Sequence, residues 1–155
     1  MLSDNKIERF IKLAEKHQLR SDFRQKLVAI IFNKNRVISI GVNTSTKSYP
    51  WLKKYFLHGT LHAEIASLVS ILHRDNNSNF NMFVFRKSLH NNLLRNAKPC
   101  PMCVQTLYNT GWFKNIFWTT DDETIACDKI ENLYIDVMKI DKDLRYLLNG
   151  KIIKA

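Results

Sequence analysis

Cysteine is scarce in this chain of 155 residues, which contains only three. An odd and small number of cysteines does not make a disulfide framework, which is typical of short secreted chains with several cysteine pairs. The first ten residues, MLSDNKIERF, mix acidic and basic side chains and contain no apolar stretch of the signal-peptide type. We therefore expect a cytoplasmic protein, in which two closely spaced cysteines favour a metal or reactive site.

Long apolar runs are also missing from the sequence. No stretch approaches the roughly 20 consecutive apolar residues that a membrane-spanning helix needs, so we expect no membrane segment. The chain also has no internal repeat, low-complexity tract or linker. Its apolar share of 45% is enough for one packed core, and its length predicts a single domain over residues 1–155.

Acidic residues are outnumbered by basic ones, 14 to 24, which gives a formal net charge of +10. This excess permits attraction to nucleic acid or to phosphorylated small molecules. The basic residues are spread along the chain, with no block of five or six. A solvated basic surface therefore explains the charge as well as a binding surface does.

Alternating helices and strands are predicted from the spacing of apolar residues. In chain order they are a helix over 4–17, a hairpin of strands 26–32 and 36–43, a helix over 61–73, a strand over 80–86, a helix over 99–111 and a strand over 114–120. The helix over 61–73 has Ile65, Leu68, Val69 and Leu72 on one stripe. This order favours an α/β sheet with helices packed on it.

Three segments lack clean periodicity. Residues 44–59 form a predicted loop rich in aromatic and polar side chains, and residues 87–98 form a polar connection. The tail from residue 121 is expected to hold a short helix and a strand, with a last helical turn over 143–149. Cys127 lies in this tail without a partner cysteine, and we interpret it as a partly buried thiol.

Two motifs that can carry chemistry stand at the starts of consecutive predicted helices. His62, Ala63 and Glu64 begin the first, Cys100 and Cys103 begin the second, and one strand lies between them. A β-α-β-α unit can bring two helix N-termini to the same edge of a sheet, where sites of α/β proteins are usually built. Zinc prefers imidazole and thiolate ligands, and a catalytic zinc site keeps one position for water.

The two cysteines and the histidine have other possible interpretations. Cys100 and Cys103 could be a redox pair, but that hypothesis leaves the histidine and glutamate unexplained. His62 could be an ordinary structural histidine. Glu64 is not needed as a ligand, and it could instead move a proton between water and a leaving amine. At two residues from His62 it faces the same site only if the first helical turn is irregular.

Together the two motifs resemble the signature of the zinc-dependent cytidine and deoxycytidylate deaminase superfamily. They are His62-Ala63-Glu64 and, later in the chain, Pro99-Cys100-Pro101-Met102-Cys103. The resemblance covers residues 26–120. It implies a three-layer α-β-α fold with a central mixed sheet and a homo-oligomeric assembly. The residue roles that it implies are zinc ligation by His62, Cys100 and Cys103, proton transfer by Glu64, and substrate binding by the backbone N–H of Ala63 and by Asn43 near the sugar.

The resemblance implies hydrolytic deamination of a cytosine base in a free nucleotide or nucleoside, with deoxycytidylate as the leading candidate substrate. Cytosine or adenine within nucleic acid is an alternative, as is a zinc-stabilised domain without activity. Residues 87–98 match no subfamily. Arg86, at the end of the preceding strand, and Arg95, within this connection, are predicted to bind a substrate phosphate, because a guanidinium fork suits phosphate. Aromatic side chains expected near the pocket are Tyr49, Trp51, Tyr55 and Phe56.

Overall fold

The first helix, α1 (Asp4–Gln18), begins where its sequence supplies a cap. Ser3 accepts a hydrogen bond from the backbone N–H of Lys6 at 3.2 Å, and the apolar stripe of the helix buries Phe10 and Ala14. The helix predicted over 4–17 is therefore confirmed. The computed structural model describes residues 2–45 and 60–139 of the chain.

Five of the strands in the described residues form one mixed sheet. The strands are β1 (Leu27–Asn33), β2 (Arg36–Val42), β5 (Phe80–Arg86), β6 (Phe113–Thr119) and β7 (Ile125–Lys129). Their order across the sheet is β2-β1-β5-β6-β7. Strands β5 and β6 are parallel, and the other neighbours are antiparallel. The short strands β3 (Thr44–Ser45) and β4 (Thr60–Leu61) pair separately.

Helices cover both faces of this sheet, because the buried strands are apolar on both sides. Alternate residues of β1 and β5 pack under α1 on one face, where the rings of Phe10 and Phe32 lie 4.7 Å apart. The opposite face packs against α2 (Ala63–Val69), α3 (Pro101–Thr110) and helical residues 130–139, which we call α4. The predicted three-layer α-β-α arrangement with a mixed sheet is confirmed.

The helix predicted over 61–73 is shorter than expected. Helix α2 ends at Val69, and residues 70–73 continue as turns in which the N–H of Ile71 bonds the carbonyl of Leu68 at 3.1 Å. The tightened turns bury Ile71 and leave Leu72 40% exposed, so the predicted place of Leu72 on the apolar stripe is wrong.

The tail contains the two elements that we expected, in the order strand β7 and then helix α4. Cys127 is exposed, so its interpretation as a partly buried thiol is wrong; it lies on β7, at the edge of the sheet. The helical turn predicted over 143–149, most of the loop over 44–59, and the aromatic residues Tyr49, Trp51, Tyr55 and Phe56 lie outside the described residues.

No helix in the described residues is long and apolar enough to cross a membrane.

Gly41 on β2 allows helix α2 to lie directly against the sheet. A Cβ at this position would lie 2.5 Å from the carbonyl oxygen of Ala63 and 2.8 Å from the carbonyl carbon of Ala66, and closer still to the N–H of Ser67. All three are backbone atoms of α2, which cannot rotate away as a side chain could. Ser39 on the same strand donates a hydrogen bond to the carbonyl of Ser67 at 2.8 Å, which fixes this contact.

We predict that Gly41→Ala lowers the free energy of unfolding by about 3 kcal/mol, because the methyl group forces α2 away from β2. Gly111→Ala is the comparison, since Gly111 ends α3 with φ +69° and a Cβ placed there would have no atom within 4 Å. Its backbone strain alone should cost about 1–2 kcal/mol. Urea unfolding of the two variants would contradict the close approach if Gly41→Ala proved no more destabilising than Gly111→Ala.

Candidate metal centre and substrate pocket

The N-termini of α2 and α3 meet at one edge of the sheet. His62 is the residue before the first helical position of α2, and Cys100 has the same place in α3. Both have extended backbones, with φ/ψ of −66°/150° and −68°/161°. Pro101 follows Cys100 at the first helical position, where a missing N–H costs no intrahelical hydrogen bond. The two helix N-termini therefore lie at the same edge of the sheet, as predicted from the sequence.

Three side chains that can bind a metal ion lie together at this edge. The Nδ1 atom of His62 is 3.5 Å from the sulfur of Cys100 and 3.3 Å from the sulfur of Cys103. The three candidate ligand atoms all lie within 4.8 Å of one another. Cys103 is buried, while His62 and Cys100 are half-buried.

Glu64 lies beside this cluster and is 3% exposed. The thiol of Cys103 donates a hydrogen bond to its Oε2 atom at 3.7 Å. Because His62 has an extended backbone and precedes the first helical turn, a residue two positions later can face the same site. Burial raises the pKa of the Glu64 carboxyl, since a charged carboxylate loses solvation there. The carboxyl group is therefore suited to holding and releasing a proton.

The two thiols differ in their readiness to lose a proton. A hydrogen bond from Cys103 lowers the pKa of Cys100 to about 4, and a hydrogen bond with His62 acts in the same direction, against the effect of burial. The same bond to Cys100, together with burial, raises the pKa of Cys103. The hydrogen bond with Cys100 also raises the pKa of His62. The site thus places a thiol of lowered pKa next to an imidazole of raised pKa.

The donor set fits zinc. One imidazole and two cysteine sulfurs are the ligand types that zinc prefers, and three protein ligands leave one tetrahedral position for another group. The chemistry of the surroundings agrees, because a cation at this place would be close to the Cys100 thiolate and the buried Glu64 carboxyl. Each ligand must lose its proton to bind, so metal binding would release protons from the site.

A cavity of about 530 Å³ opens at the cluster. Among the described residues it is lined by Phe23, Arg24, Gln25, Leu27, Asn43, Thr60, His62, Ala63, Glu64, Lys98 and Cys100. Five of the eight predicted site residues therefore share one cavity, and Cys103 lies beneath it in contact with His62. The volume falls within the range of pockets that hold a small organic ligand.

Asn43 lines the cavity, and its side chain also holds the wall in place. Its Oδ1 accepts hydrogen bonds from the N–H of Leu27 at 2.9 Å and from the hydroxyl of Ser21 at 2.7 Å. Its Nδ2 donates to the carbonyl of Gln25 at 2.7 Å, and its second N–H has no other partner among residues 2–45 and 60–139. Contact with a sugar stays a prediction, but the structure gives Asn43 a definite role in fixing residues 21–27.

Arg86 and Arg95 do not line this cavity. They lie in a neighbouring cleft, which shares Arg24 and Gln25 with it. The described cations that line the cavity are instead Arg24 and Lys98. Nothing in the spacing of the sequence indicated residues 23–25, because they follow α1 without a motif and only the fold brings them to the metal centre.

Solved structures with the same fold include two of the dCMP deaminase from the cyanophage S-TIM5. The apo form shares 21% identity with this chain, with a TM-score of 0.58 over 88% of this chain and 94% of that chain. The complex with dCMP and dUMP shares 18% identity, with a TM-score of 0.59 over 88% and 95%. Cytidine deaminase from Burkholderia pseudomallei shares 16% identity, with a TM-score of 0.60 over 85% and 96%. The predicted cytidine deaminase-like fold is thus confirmed.

Sequence comparison gives the family. No curated protein sequence matches the chain significantly. The family described as "Cytidine and deoxycytidylate deaminase zinc-binding region" matches residues 4–120, well over half of the chain. The chain therefore belongs to the zinc-binding cytidine and deoxycytidylate deaminase family, and the zinc-dependent deaminase class predicted from its sequence is confirmed.

Proposed function

We propose that this protein deaminates the cytosine base of a free nucleotide by hydrolysis. Among nucleosides and monophosphates the leading substrate is deoxycytidylate, which gives deoxyuridylate and ammonia. The observation that carries the proposal is the convergence of His62, Cys100, Cys103 and the buried Glu64 on one cavity of about 530 Å³. A purely structural metal site would have no use for a buried carboxyl group beside it.

We assign the metal to His62, Cys100 and Cys103, whose candidate ligand atoms lie within 4.8 Å of one another. Bound there, zinc would supply Lewis-acid chemistry that makes water a better nucleophile near neutral pH. The protein contributes the arrangement of the three ligands. It also excludes bulk water from Cys103, which is 1% exposed.

Glu64 is the proposed proton carrier. Hydrolysis at C4 of cytosine moves both protons of the attacking water. The first goes to N3 when the C4–O bond forms, and the second goes from the C4 hydroxyl to the amine as the C4–N bond breaks and ammonia leaves. A carboxyl group whose pKa is raised by burial can accept and return a proton near neutral pH. The backbone N–H of Ala63, next to Glu64 in the first turn of α2, is the proposed donor that holds the base.

The phosphate of the nucleotide is proposed to lie towards Arg24 and Lys98. Both cations line the cavity, and Lys98 is oriented with its ammonium 5.6 Å from the ring centre of Trp118. The cavity also contains Phe23, a ring that can contact a base or sugar. Among the described residues, the cavity wall combines one aromatic ring with two cations, which favours a small anionic nucleotide over a neutral nucleoside.

Deamination within a nucleic acid is the second candidate function. The formal net charge of +10 favours it, because phosphate backbones bind basic surfaces. A salt titration separates the two candidates. Affinity for single-stranded DNA should fall steeply and linearly on a logarithmic salt scale if a polynucleotide is the substrate, whereas turnover of a mononucleotide should depend on salt only weakly.

Assembly into a homo-oligomer is part of the proposal. Exposed apolar side chains lie on α3 and α4, where Met102 is 48% exposed, Ile135 60% and Met138 41%. The rings of Tyr108 and Tyr134 stack at 3.9 Å between the same two helices. This surface could be covered by a second copy. A cytoplasmic location likewise stays a prediction.

The zinc assignment predicts that the purified protein contains about one zinc ion per chain, measured by inductively coupled plasma mass spectrometry. His62→Ala, Cys100→Ala and Cys103→Ala should each contain less than about a tenth of that amount, because removal of one ligand leaves too few for tight binding. Cys127→Ala is the matched control, since this thiol is exposed and is not one of the clustered ligands. Equal zinc content in Cys127→Ala and Cys103→Ala would contradict the assignment.

The proton-transfer role predicts that Glu64→Gln lowers kcat by a factor of about 100 or more while zinc content is unchanged. Glutamine has nearly the same shape but cannot carry a proton, so the loss should appear in kcat and not in KM. Steady-state assays with zinc quantified in each sample would test this. A variant that retains zinc and full kcat would remove Glu64 from the mechanism.

The substrate proposal is tested by a screen for ammonia release from cytosine, cytidine, CMP, dCMP, adenosine, guanine and single-stranded DNA. We expect dCMP to give the highest kcat/KM among the monophosphates and nucleosides. If kcat/KM for adenosine, guanine or single-stranded DNA is higher than for dCMP, the substrate class is not cytosine mononucleotides, and this part of the proposal is wrong.

A further inference from the structure

A second cleft, of about 660 Å³, adjoins the cavity at the metal centre. Among the described residues it is lined by Arg24, Gln25, Lys26, Arg86, Lys87, Ser88, Leu89, His90 and Arg95, and we call it the basic cleft. Arg24 and Gln25 line both spaces, so a ligand that extends past these two residues passes from one space into the other.

In the described part of the chain, the arginines of the basic cleft are not neutralised by a carboxylate, whereas Lys87 pairs with Glu15. None of the described residues that line it is acidic. Within the described residues the ion pairs are Lys12–Glu8 and Lys87–Glu15, so the guanidinium groups of Arg24, Arg86 and Arg95 have no carboxylate partner there. Three guanidinium groups that share one concave surface, without a carboxylate partner in residues 2–45 and 60–139, attract an anion with more than one charge.

The positions of Arg86 and Arg95 are fixed by the backbone. The N–H of Arg95 donates to the carbonyl of Arg86 at 2.9 Å. The hydroxyl of Thr119, which is fully buried, accepts from the N–H of Arg86 at 3.1 Å and donates to the carbonyl of Arg95 at 2.7 Å. The two arginines therefore extend from neighbouring, locked points of the chain.

A buried glutamine joins the two walls of the basic cleft. The Nε2 atom of Gln18, which is 2% exposed, donates to the carbonyl of Lys26 at 3.2 Å and to the carbonyl of Lys87 at 2.8 Å. The wall before β1 and the wall after β5 are thus held at a fixed separation. Because the backbone on both sides of the cleft is held in this way, anion binding has to order only the side chains that extend from it.

Resting on the proposed function, we propose that the basic cleft receives the phosphates beyond the first of a cytosine nucleotide, so that nucleoside di- and triphosphates are better substrates than the monophosphate. The first phosphate lies at Arg24, where the two spaces join, and the outer phosphates bind Arg86 and Arg95. No Phe, Tyr or Trp is among the described residues that line the basic cleft, so it offers phosphate ligands and no stacking ring for a second base.

The reaction on such a substrate is the same hydrolysis. Water adds at C4 of the cytosine base, the C4–N bond breaks, and ammonia leaves with the proton returned by Glu64. The phosphoanhydride bonds are not touched, so dCTP gives dUTP and ammonia with no other co-reactant. The basic cleft contributes binding of the charged chain alone.

The test measures kcat/KM for deoxycytidine, dCMP and dCTP with the zinc-loaded full chain. We expect kcat/KM for dCTP to be at least tenfold higher than kcat/KM for dCMP. The double variant Arg86→Ala/Arg95→Ala should lose this preference, while its kcat/KM for deoxycytidine stays within twofold of wild type. Arg36→Ala is the matched control, because Arg36 is exposed on β2 and lines neither space.

Three results with these variants and substrates would overturn the proposal, and a fourth concerns an oligonucleotide. They are equal kcat/KM for dCMP and dCTP in the wild type, an equal loss for all three substrates in the double variant, and the same loss of preference in Arg36→Ala. A single-stranded oligonucleotide that is a better substrate than dCTP would also overturn it, and would assign the basic cleft to a polynucleotide. Urea unfolding verifies that the double variant is folded, and Arg86→Gln provides a milder variant if it is not.

A binding measurement keeps this inference separate from the proposed function. If no cytosine compound releases ammonia, the proposed function fails, yet calorimetric titration with inorganic tripolyphosphate still tests the basic cleft. We expect tripolyphosphate to bind at least tenfold more tightly than orthophosphate, and the double variant to lose this difference. Equal affinities for the two anions, or unchanged affinity in the double variant, would overturn the basic cleft as a polyphosphate site.

Discussion

The close packing of helix α2 on strand β2 is the contact on which the rest of the site depends. Gly41 permits it, because any side chain there would meet the backbone of Ala63, Ala66 and Ser67. The first turn of α2 carries Ala63 and Glu64, and His62 immediately precedes it. If α2 moved outward by the width of a methyl group, the imidazole would shift relative to the cysteines at the start of α3. A small residue on the second strand is therefore a requirement of the metal centre as well as of the core.

The metal centre is formed by two helix N-termini that have the same backbone conformation. His62 and Cys100 both have extended backbones, so each can direct its side chain back over the helix that follows. Low solvent access makes the groups interact strongly, which divides the thiols into the more acidic Cys100 and the less acidic Cys103 and raises the pKa of Glu64. These opposite shifts are typical of a site that exchanges protons, since neighbouring groups hold protons with different strength.

The connection between β5 and α3 places basic side chains close to the metal centre. In sequence it is a polar stretch of arginines, lysines and asparagines. In the structure it forms a pinned loop, in which Lys87 pairs with Leu94 and Thr119 bonds both Arg86 and Arg95. The loop faces residues 24–26 across the basic cleft, so part of the +10 charge is placed beside the substrate cavity.

The sequence by itself determined the family, the candidate metal ligands and most of the layered fold. Local sequence signals were sufficient to predict these features. Helix starts, β-branched runs and the motifs of histidine, glutamate and cysteine each occupy only a few consecutive residues. Sequence spacing could not predict that α2 ends at Val69, that Cys127 is exposed, or that Arg24 and Lys98 line the cavity while Arg86 and Arg95 lie beyond it. Only the tertiary structure decided these points, since burial and cavity walls depend on contacts between residues far apart in the chain, such as Gln18 with Lys87.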